Sequence, residues 1–187
     1  MTKKHKTVFE AAFKLEDSDK VFNYQIELTK KLDNTNDLFN QDIINEIVLW
    51  KVNRFAKVDE DILKLLNSID IDSNQLDELK TKEVLKKLLM IKGIQLPMAS
   101  TILRFRNKNI YQIIDQRVYR IIYEDKTLEL KTYPSEKNIN EQIDIYLKYL
   151  SDLKEISNKL KIPFYDIDRI LYKADKRINK DIPLKNY

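Results

Sequence analysis

A single glycine, Gly93, is the feature that most restricts what this chain of 187 residues can fold into. The phosphate-binding loops of P-loop NTPases and Rossmann enzymes need several glycines at fixed spacing, so both classes are excluded. The absence of cysteine excludes disulfides, thiolate metal sites, iron–sulfur clusters and cysteine nucleophiles. The one histidine, His5, lies in a basic N-terminal stretch, so a Ser-His-Asp triad is set aside. We expect no metal site, no cofactor and no disulfide-linked partner.

The same scarcity of glycine, with four prolines and many Leu, Ile, Lys and Glu residues, favours helices. Asp59 and Ser73 stand where helix N-caps are expected, and Pro97 and Pro163 fit the first turn of a helix. Only 127–133 alternates like a strand, and we interpret it as a loop or extended arm. Apolar residues recur at helical spacing in nine stretches: 21–32, 43–50, 62–66, 84–91, 97–106, 115–123, 139–150, 153–160 and 164–178. The sequence predicts an all-α chain of about nine or ten short helices.

The net charge of +4 is modest, but the charges are segregated along the chain. Residues 59–78 hold seven acidic side chains and one basic one, which we interpret as a solvated surface. Residues 100–123 hold five basic side chains and one acidic one, and 170–187 hold five basic and two acidic. The central basic stretch is therefore the candidate contact for nucleic acid.

The sequence also bears on location. No run of about 18 or more apolar residues appears. The opening residues MTKKHKTVFE lack the apolar core of a signal peptide. These features predict a cytoplasmic protein with no membrane partner.

Gly93 lies between two helical patterns, in the segment LLMIKGIQLPMASTIL at 88–103. A helix, a glycine-containing turn and a second helix that opens at Pro97, with Ala99 facing its neighbour, form a helix-hairpin-helix pattern. Free N–H groups at such a turn and at the next helix N-terminus bind a phosphate without a side chain. An ordinary αα-hairpin also often contains glycine, so this segment by itself leaves both interpretations open.

The residues after the hairpin favour the helix-hairpin-helix motif over an ordinary αα-hairpin. A basic segment at 104–109 is followed by the apolar stretch IYQII at 110–114, and then by Asp115 and two nearby arginines. An acidic residue at this place is predicted to be the N-cap of the next helix. With 91–95 and Ala99, the segment 114–120 resembles the helix-hairpin-helix DNA glycosylase superfamily, which includes endonuclease III and the adenine and alkylation-repair glycosylases. The resemblance covers roughly 85–123 and needs no gap between hairpin and aspartate.

The resemblance implies a two-lobed all-α fold within a single domain, 1–187. The lobe with the helix-hairpin-helix motif would span about 38–123, and the second lobe would combine 1–37 with 124–187. A cleft between the lobes would receive a base rotated out of double-stranded DNA, because the glycosidic carbon is unreachable inside the stack.

The chain departs from the family pattern at several positions. Lys92 replaces the proline of the hairpin, where it would add a cation beside the phosphate, and Gln95 replaces the second glycine. Pro97 stands where bifunctional members place their Schiff-base lysine, and Gln116-Arg117 stands where the family has Thr-His. By analogy, the chain resembles a monofunctional glycosylase or a member that has lost activity.

The resemblance also assigns roles to residues. Asp115 would be the catalytic carboxylate that activates a water or stabilises the oxocarbenium-like sugar cation, and the helix dipole is expected to lower its pKa. Among the aromatic residues, the candidates for stacking on the flipped base are Trp50, Phe55, Tyr111 and Tyr172. Each of them is also interpreted as a core residue, because aromatic residues at helical spacing usually pack in the core. The predicted DNA-binding residues are Lys92, Gly93, Gln95, Arg104, Arg106, Lys108, Arg117 and Arg120.

One helix face near the C-terminus carries Asp168, Tyr172 and Asp175, which share helical spacing. This face would line the cleft or form a solvated surface, and both interpretations stay open.

Two functions without catalysis compete with the glycosylase. Helix-hairpin-helix units also occur as sequence-independent DNA-binding modules, which need the hairpin and its cations but not Asp115. An all-helical protein-interaction domain would leave the basic cluster around the hairpin unexplained. Replacing Asp115 by Asn separates an enzyme from a binding module.

Overall fold

The computed structural model of the chain describes residues 13, 24–35, 39–52, 56–124, 126–131 and 133–184. All regular structure in these residues is helical and no strand occurs among them, so the predicted all-α class is confirmed. The helices are α1 Ile26–Asp33, α2 Gln41–Lys51, α3 Glu60–Asn67, α4 Glu78–Leu89, α5 Leu96–Arg106, α6 Gln116–Ile122, α7 Glu136–Leu160, the short 3₁₀ helix Phe164–Asp166 and α8 Ile167–Ile178. Residues 21–23 of the predicted helical stretch 21–32 lie outside the described residues, as do Phe55 and His5.

Of the two helix N-caps predicted at Asp59 and Ser73, only the one at Asp59 is present. Asp59 caps α3 through its Oδ1, which accepts a hydrogen bond from the Ile62 N–H at 2.9 Å. Ser73 does not cap a helix, and that prediction is wrong. Its hydroxyl bonds within the loop, to the backbone of Gln75, whereas Asp77 caps α4.

Two further elements differ in extent from the pattern. Residues 139–150 and 153–160 were predicted as separate helices, but α7 runs through both as one helix of 25 residues. Leu150 and Leu153 are both buried and three positions apart, so the apolar face continues without a break. Residues 126–131 and Tyr133 form no strand, as predicted for the connecting segment.

The chain forms two compact units, 1–55 and 56–187. In the first unit, α1 and α2 pack together around Trp50. Its indole N–H donates to Thr29 Oγ1 at 2.9 Å, and its ring meets Tyr24 edge-on with centroids 5.2 Å apart. Trp50 is thus a packing residue of this unit.

The second unit contains α3 to α8 around one apolar core. Helix α4 packs against α3, α5 and α7, while α6 packs against α7 and α8. The fully buried core side chains include Leu85, Leu88, Leu96, Leu103, Ile114, Tyr146, Leu153 and Ile167. The predicted hairpin, the aspartate segment and the C-terminal helix therefore belong to one compact unit. The two-lobed arrangement with its cleft stays a prediction.

Candidate active site at the start of helix α6

The turn between α4 and α5 exposes its polar residues. Gly93 adopts φ +90°, in the left-handed region that favours glycine, and no atom lies within 4 Å of a Cβ built there. The conformation, rather than lack of space, therefore requires glycine. Lys92 and Gln95 are exposed on either side of it, and Pro97 lies in the first turn of α5 as predicted.

Asp115 is the N-cap of α6, which confirms the prediction from the sequence. Its Oδ1 accepts a hydrogen bond from the Val118 N–H at 2.8 Å. Burial raises the pKa of this carboxyl above its ordinary value, although the backbone hydrogen bonds and the charge of Arg117 act in the opposite direction. The prediction that the helix dipole lowers this pKa is therefore wrong, because the loss of water outweighs the favourable contacts.

The segment that leads into Asp115 is held by two tyrosines of α7. The Tyr146 hydroxyl donates to the carbonyl oxygen of Gln112 at 2.9 Å, and the Tyr149 hydroxyl donates to that of Ile113 at 2.7 Å. Burial raises the pKa of both phenols well above 10, so both remain hydrogen-bond donors at ordinary pH.

The N–H groups of the same segment are bound from two other helices. Asp168 Oδ2, from α8, accepts from the Ile113 N–H at 3.0 Å, and Ser100 Oγ, from α5, accepts from the Ile114 N–H at 3.2 Å. Both side chains are buried. Side chains of α5, α7 and α8 together thus fix the backbone immediately before Asp115, which preorganises its carboxylate.

A pocket of about 300 Å³ opens beside this carboxylate. Tyr172, predicted to stack on a base, lines it with its side chain partly exposed. Tyr111 does not line this pocket. It is fully buried, with its hydroxyl 2.8 Å from that of Thr81, so its side chain is not available to stack on a base. The lining residues are Ile113, Asp115, Val118, Asp168, Arg169, Tyr172 and Lys173. A larger cavity of about 390 Å³ beside α7 contains none of the predicted site residues.

Two of the predicted DNA-binding arginines, both on α5, have partners inside the protein. The Arg104 guanidinium is 5 % exposed, and it donates to the Tyr165 carbonyl at 2.9 Å. Arg106 donates to the carbonyls of Leu66 and Asn67 at the end of α3, at 3.0 and 2.7 Å. These contacts give both arginines a structural role in place of the predicted phosphate contact.

The two predicted arginines of α6 converge on one buried carboxylate of α8. Arg120 binds both oxygens of Asp175, at 2.6 and 2.8 Å, and Arg117 binds Oδ2 at 3.1 Å. Burial acts to raise the pKa of Asp175, but the hydrogen bonds from Arg120, Asn179 and Arg117 together lower it. The interpretation of this helix face as solvated surface is thus wrong for Asp168 and Asp175, which point inward, while Tyr172 lies at the pocket.

Four of the predicted DNA-binding residues remain on the surface: Lys92, Gly93, Gln95 and Lys108. The Lys108 ammonium lies 5.4 Å from the centre of the Tyr165 ring, a cation–π distance. The exposed basic surface around the hairpin is therefore smaller than the sequence alone indicated.

Sequence reasoning did not identify the groups that hold and surround Asp115, namely Ser100, Tyr146, Tyr149, Arg169 and Lys173. Their helical spacing marks only core or surface positions, and no local motif reports a contact with a distant backbone. Asp168 was singled out by its spacing to Asp175, but its bond to the Ile113 N–H was not foreseen.

In the part of the chain that the structure describes, no group of three or more His, Cys, Asp or Glu side chains could hold a metal ion. None of the described helices is both long and apolar enough to cross a membrane. No protein-family model, curated protein or solved structure matches the chain.

Proposed function

We propose that this chain is a monofunctional DNA glycosylase that hydrolyses the N-glycosidic bond of a damaged or modified base flipped out of double-stranded DNA. The observation that carries the proposal is the placement of Asp115. Its carboxylate accepts a hydrogen bond from the first turn of α6, the backbone before it is fixed by side chains of three other helices, and Asp115 and Tyr172 line the same pocket. The type of reaction is inferred from the resemblance of 91–95, Ala99 and 114–120 to the helix-hairpin-helix glycosylases.

The pocket has dimensions that suit this chemistry. A volume of about 300 Å³ lies at the lower end of the range for small-ligand sites, which suits a single base rather than a larger cofactor. Tyr172 offers an aromatic face on which a base would stack. Ile113 and Val118 provide apolar walls against which a base would pack.

In the proposed reaction, the bond between the base nitrogen and the sugar C1′ breaks, and the electron pair leaves with the base. The ionised carboxylate of Asp115 stabilises the positive charge that develops on the sugar ring. A water molecule then bonds to C1′ and loses a proton, while the departing base gains one. The products are a free base and an abasic site. Because burial raises the pKa of Asp115, the rate should fall as this group becomes protonated at acid pH.

Contact with the DNA backbone is assigned to the exposed turn before α5. The N–H groups of the turn and of the first turn of α5 would bind a phosphate, since Gln95 makes no side-chain hydrogen bond that caps this helix. Lys92 and Lys108 add positive charge nearby. Arg104, Arg106, Arg117 and Arg120 are not assigned to the phosphates, because their guanidinium groups bind partners within the protein.

The test is base release from a panel of duplexes, each with one damaged, mismatched, alkylated or otherwise modified base. We expect release of at least one free base, with an abasic site left in an intact strand until alkali is added. Salt-dependent binding to all duplexes without release would favour the non-catalytic DNA-binding module. Absence of binding at low salt would exclude both DNA functions and favour the protein-interaction domain.

A further inference from the structure

Asp168, near the start of α8, is a carboxylate buried to all but 2 % of its surface. Its Oδ2 accepts a hydrogen bond from the Ile113 N–H at 3.0 Å, and its Oδ1 accepts one from the Arg169 N–H at 2.6 Å. It lines the same pocket as Asp115. Burying a carboxylate destabilises the folded protein unless its oxygens accept hydrogen bonds, and these two contacts supply them.

The nearby arginine does not account for this arrangement. Arg104 Nε lies 3.7 Å from Asp168 Oδ2, beyond hydrogen-bond range, and that nitrogen has no hydrogen-bond partner. The shorter contact from Oδ2 goes to Ile113, two residues before Asp115. Asp168 therefore binds the segment that carries Asp115 more directly than it binds its ionic partner.

We propose that Asp168 is the positioning residue for Asp115, holding the backbone at Ile113 so that the Asp115 carboxylate faces the pocket. This inference rests on the proposed function and deepens it. The Ile113 N–H is fixed by Asp168 from α8, and the Ile113 carbonyl by Tyr149 from α7. With both polar groups of this residue bound, the chain enters α6 in one orientation.

Asp168 also shapes the electrostatic surroundings of Asp115. The titratable and charged groups around Asp115 are Arg117 from α6, Tyr149 from α7, and Asp168, Arg169 and Lys173 from α8. Asp168 is the acidic member of this set, and its negative charge opposes ionisation of Asp115. Removing that charge should make Asp115 easier to ionise.

The experiment compares the wild type with Asp168→Asn and with the control Asp166→Asn. Asp166 precedes α8, makes no capping hydrogen bond there and does not line the pocket. The carboxyl carbon of Asp115 is titrated by NMR in each protein. We expect the pKa of Asp115 to fall in Asp168→Asn and to stay unchanged in Asp166→Asn. An unchanged titration in folded Asp168→Asn, or an equal fall in the control, would overturn the proposal.

Base release by the same proteins and by Asp168→Ala gives a second measurement. We expect kcat at saturating DNA to fall by about 10-fold or more in Asp168→Ala, which removes both acceptor oxygens, since a small misplacement of a reacting group slows the reaction. The fall should be smaller in Asp168→Asn, whose amide oxygen can still accept from the Ile113 N–H, and KM should stay unchanged in both. A loss confined to KM would contradict a positioning role. If the wild type releases no base, the proposed function fails, and the backbone amide signals of Ile113 and Asp115 in the same NMR spectra still decide whether Asp168 positions this segment. Amide signals of a folded Asp168→Ala protein that match those of the wild type would overturn the proposal.

Asp168→Asn leaves Arg104 buried without its ionic partner, so the double variant Arg104→Met/Asp168→Asn serves as a second test. It removes both charges and keeps similar volumes, a replacement that buried pairs often tolerate. Loss of the Arg104 charge acts on the pKa of Asp115 against loss of the Asp168 charge, so we expect a smaller fall in this pKa in the double variant. The Ile113 amide signal should shift as it does in Asp168→Asn, and a signal identical to that of the wild type would overturn the proposal.

Discussion

The guanidinium of Arg120 binds both carboxylate oxygens of Asp175, at 2.6 and 2.8 Å, and thereby joins helix α6 to helix α8. Asp175 is fully buried, and Arg117 and Asn179 complete its hydrogen bonds. The pocket beside Asp115 is lined by Val118 of α6, by four residues of α8 and by the segment that leads into α6. The pair therefore holds the walls of the candidate active site together.

Removal of this carboxylate should destabilise the protein. Asp175→Asn leaves two partly buried guanidinium groups without a counter-ion, which should lower the free energy of unfolding by about 3 kcal/mol at neutral pH. Urea denaturation measures the change. Glu136→Gln, which removes an exposed ion pair with Lys86, is the control and should change little.

The effect of Asp175→Asn should shrink in acid. The pKa of Asp175 is lower in the folded protein than its ordinary value of 3.8, so its stabilising contribution is complete above that pH. The contribution is lost as pH falls through the lowered pKa, where the wild type and the variant should converge. A difference that stays constant down to strongly acid pH would contradict the role of this ionised pair.

The contribution of Asp115 to stability should depend on pH in the opposite direction. Because burial raises the pKa of Asp115 in the folded protein, its contribution to stability is complete below 3.8 and is lost as pH rises through the raised value. Asn caps a helix about as well as Asp, so Asp115→Asn should change stability by less than about 1 kcal/mol at neutral pH. Urea unfolding across this pH range should show the wild type losing stability relative to the variant as pH rises.

DNA binding should depend on few phosphate contacts. Arg104, Arg106, Arg117 and Arg120 bind partners within the protein, so Lys92 and Lys108 are the predicted DNA-binding cations that can still contact phosphates. The logarithm of DNA affinity should therefore fall with the logarithm of salt concentration at a slope of about −2. Lys92→Ala should reduce that slope by about one unit, whereas Lys159→Ala, on the exposed end of α7, should leave it unchanged.

Gly93→Val should weaken DNA binding, because a β-branched residue resists φ +90°. Full affinity in a folded Gly93→Val protein would exclude the turn as the phosphate site.

No covalent intermediate with a lysine should form. If the resemblance to the helix-hairpin-helix glycosylases holds, Pro97 stands where their bifunctional members place a Schiff-base lysine, so borohydride should trap no enzyme–DNA complex. The pocket does contain one lysine, Lys173, which was not anticipated from the sequence. Trapping that disappears in Lys173→Ala would contradict the monofunctional assignment and would identify the amine responsible.

Local features of the fold could be predicted from the sequence because their causes are local. Asp59 and Asp115 cap helices through N–H groups three residues away, and Gly93 supplies the conformation of its own turn. Helical spacing gave the all-α class, although Ser73 shows that a capping residue type also occurs in ordinary loops.

The surroundings of Asp115 could not be predicted, because they depend on distant parts of the chain. Arg104 meets Tyr165, 61 residues away, and Arg120 meets Asp175, 55 residues away. In the sequence these arginines are indistinguishable from exposed DNA-binding residues. The pKa of Asp115 was predicted with the wrong sign for the same reason, since the helix N-terminus is visible in the sequence and the burial is not.

The central claim is that the Asp115 carboxylate stabilises a sugar cation during base release, and Asp115→Asn tests it most directly. Binding and base release are measured on one preparation, with a substrate on which the wild type is active. Release should fall by a factor on the order of 100 or more, while DNA affinity stays equal or rises because a negative charge has been removed. Unimpaired base release by the folded Asp115→Asn protein would contradict the claim.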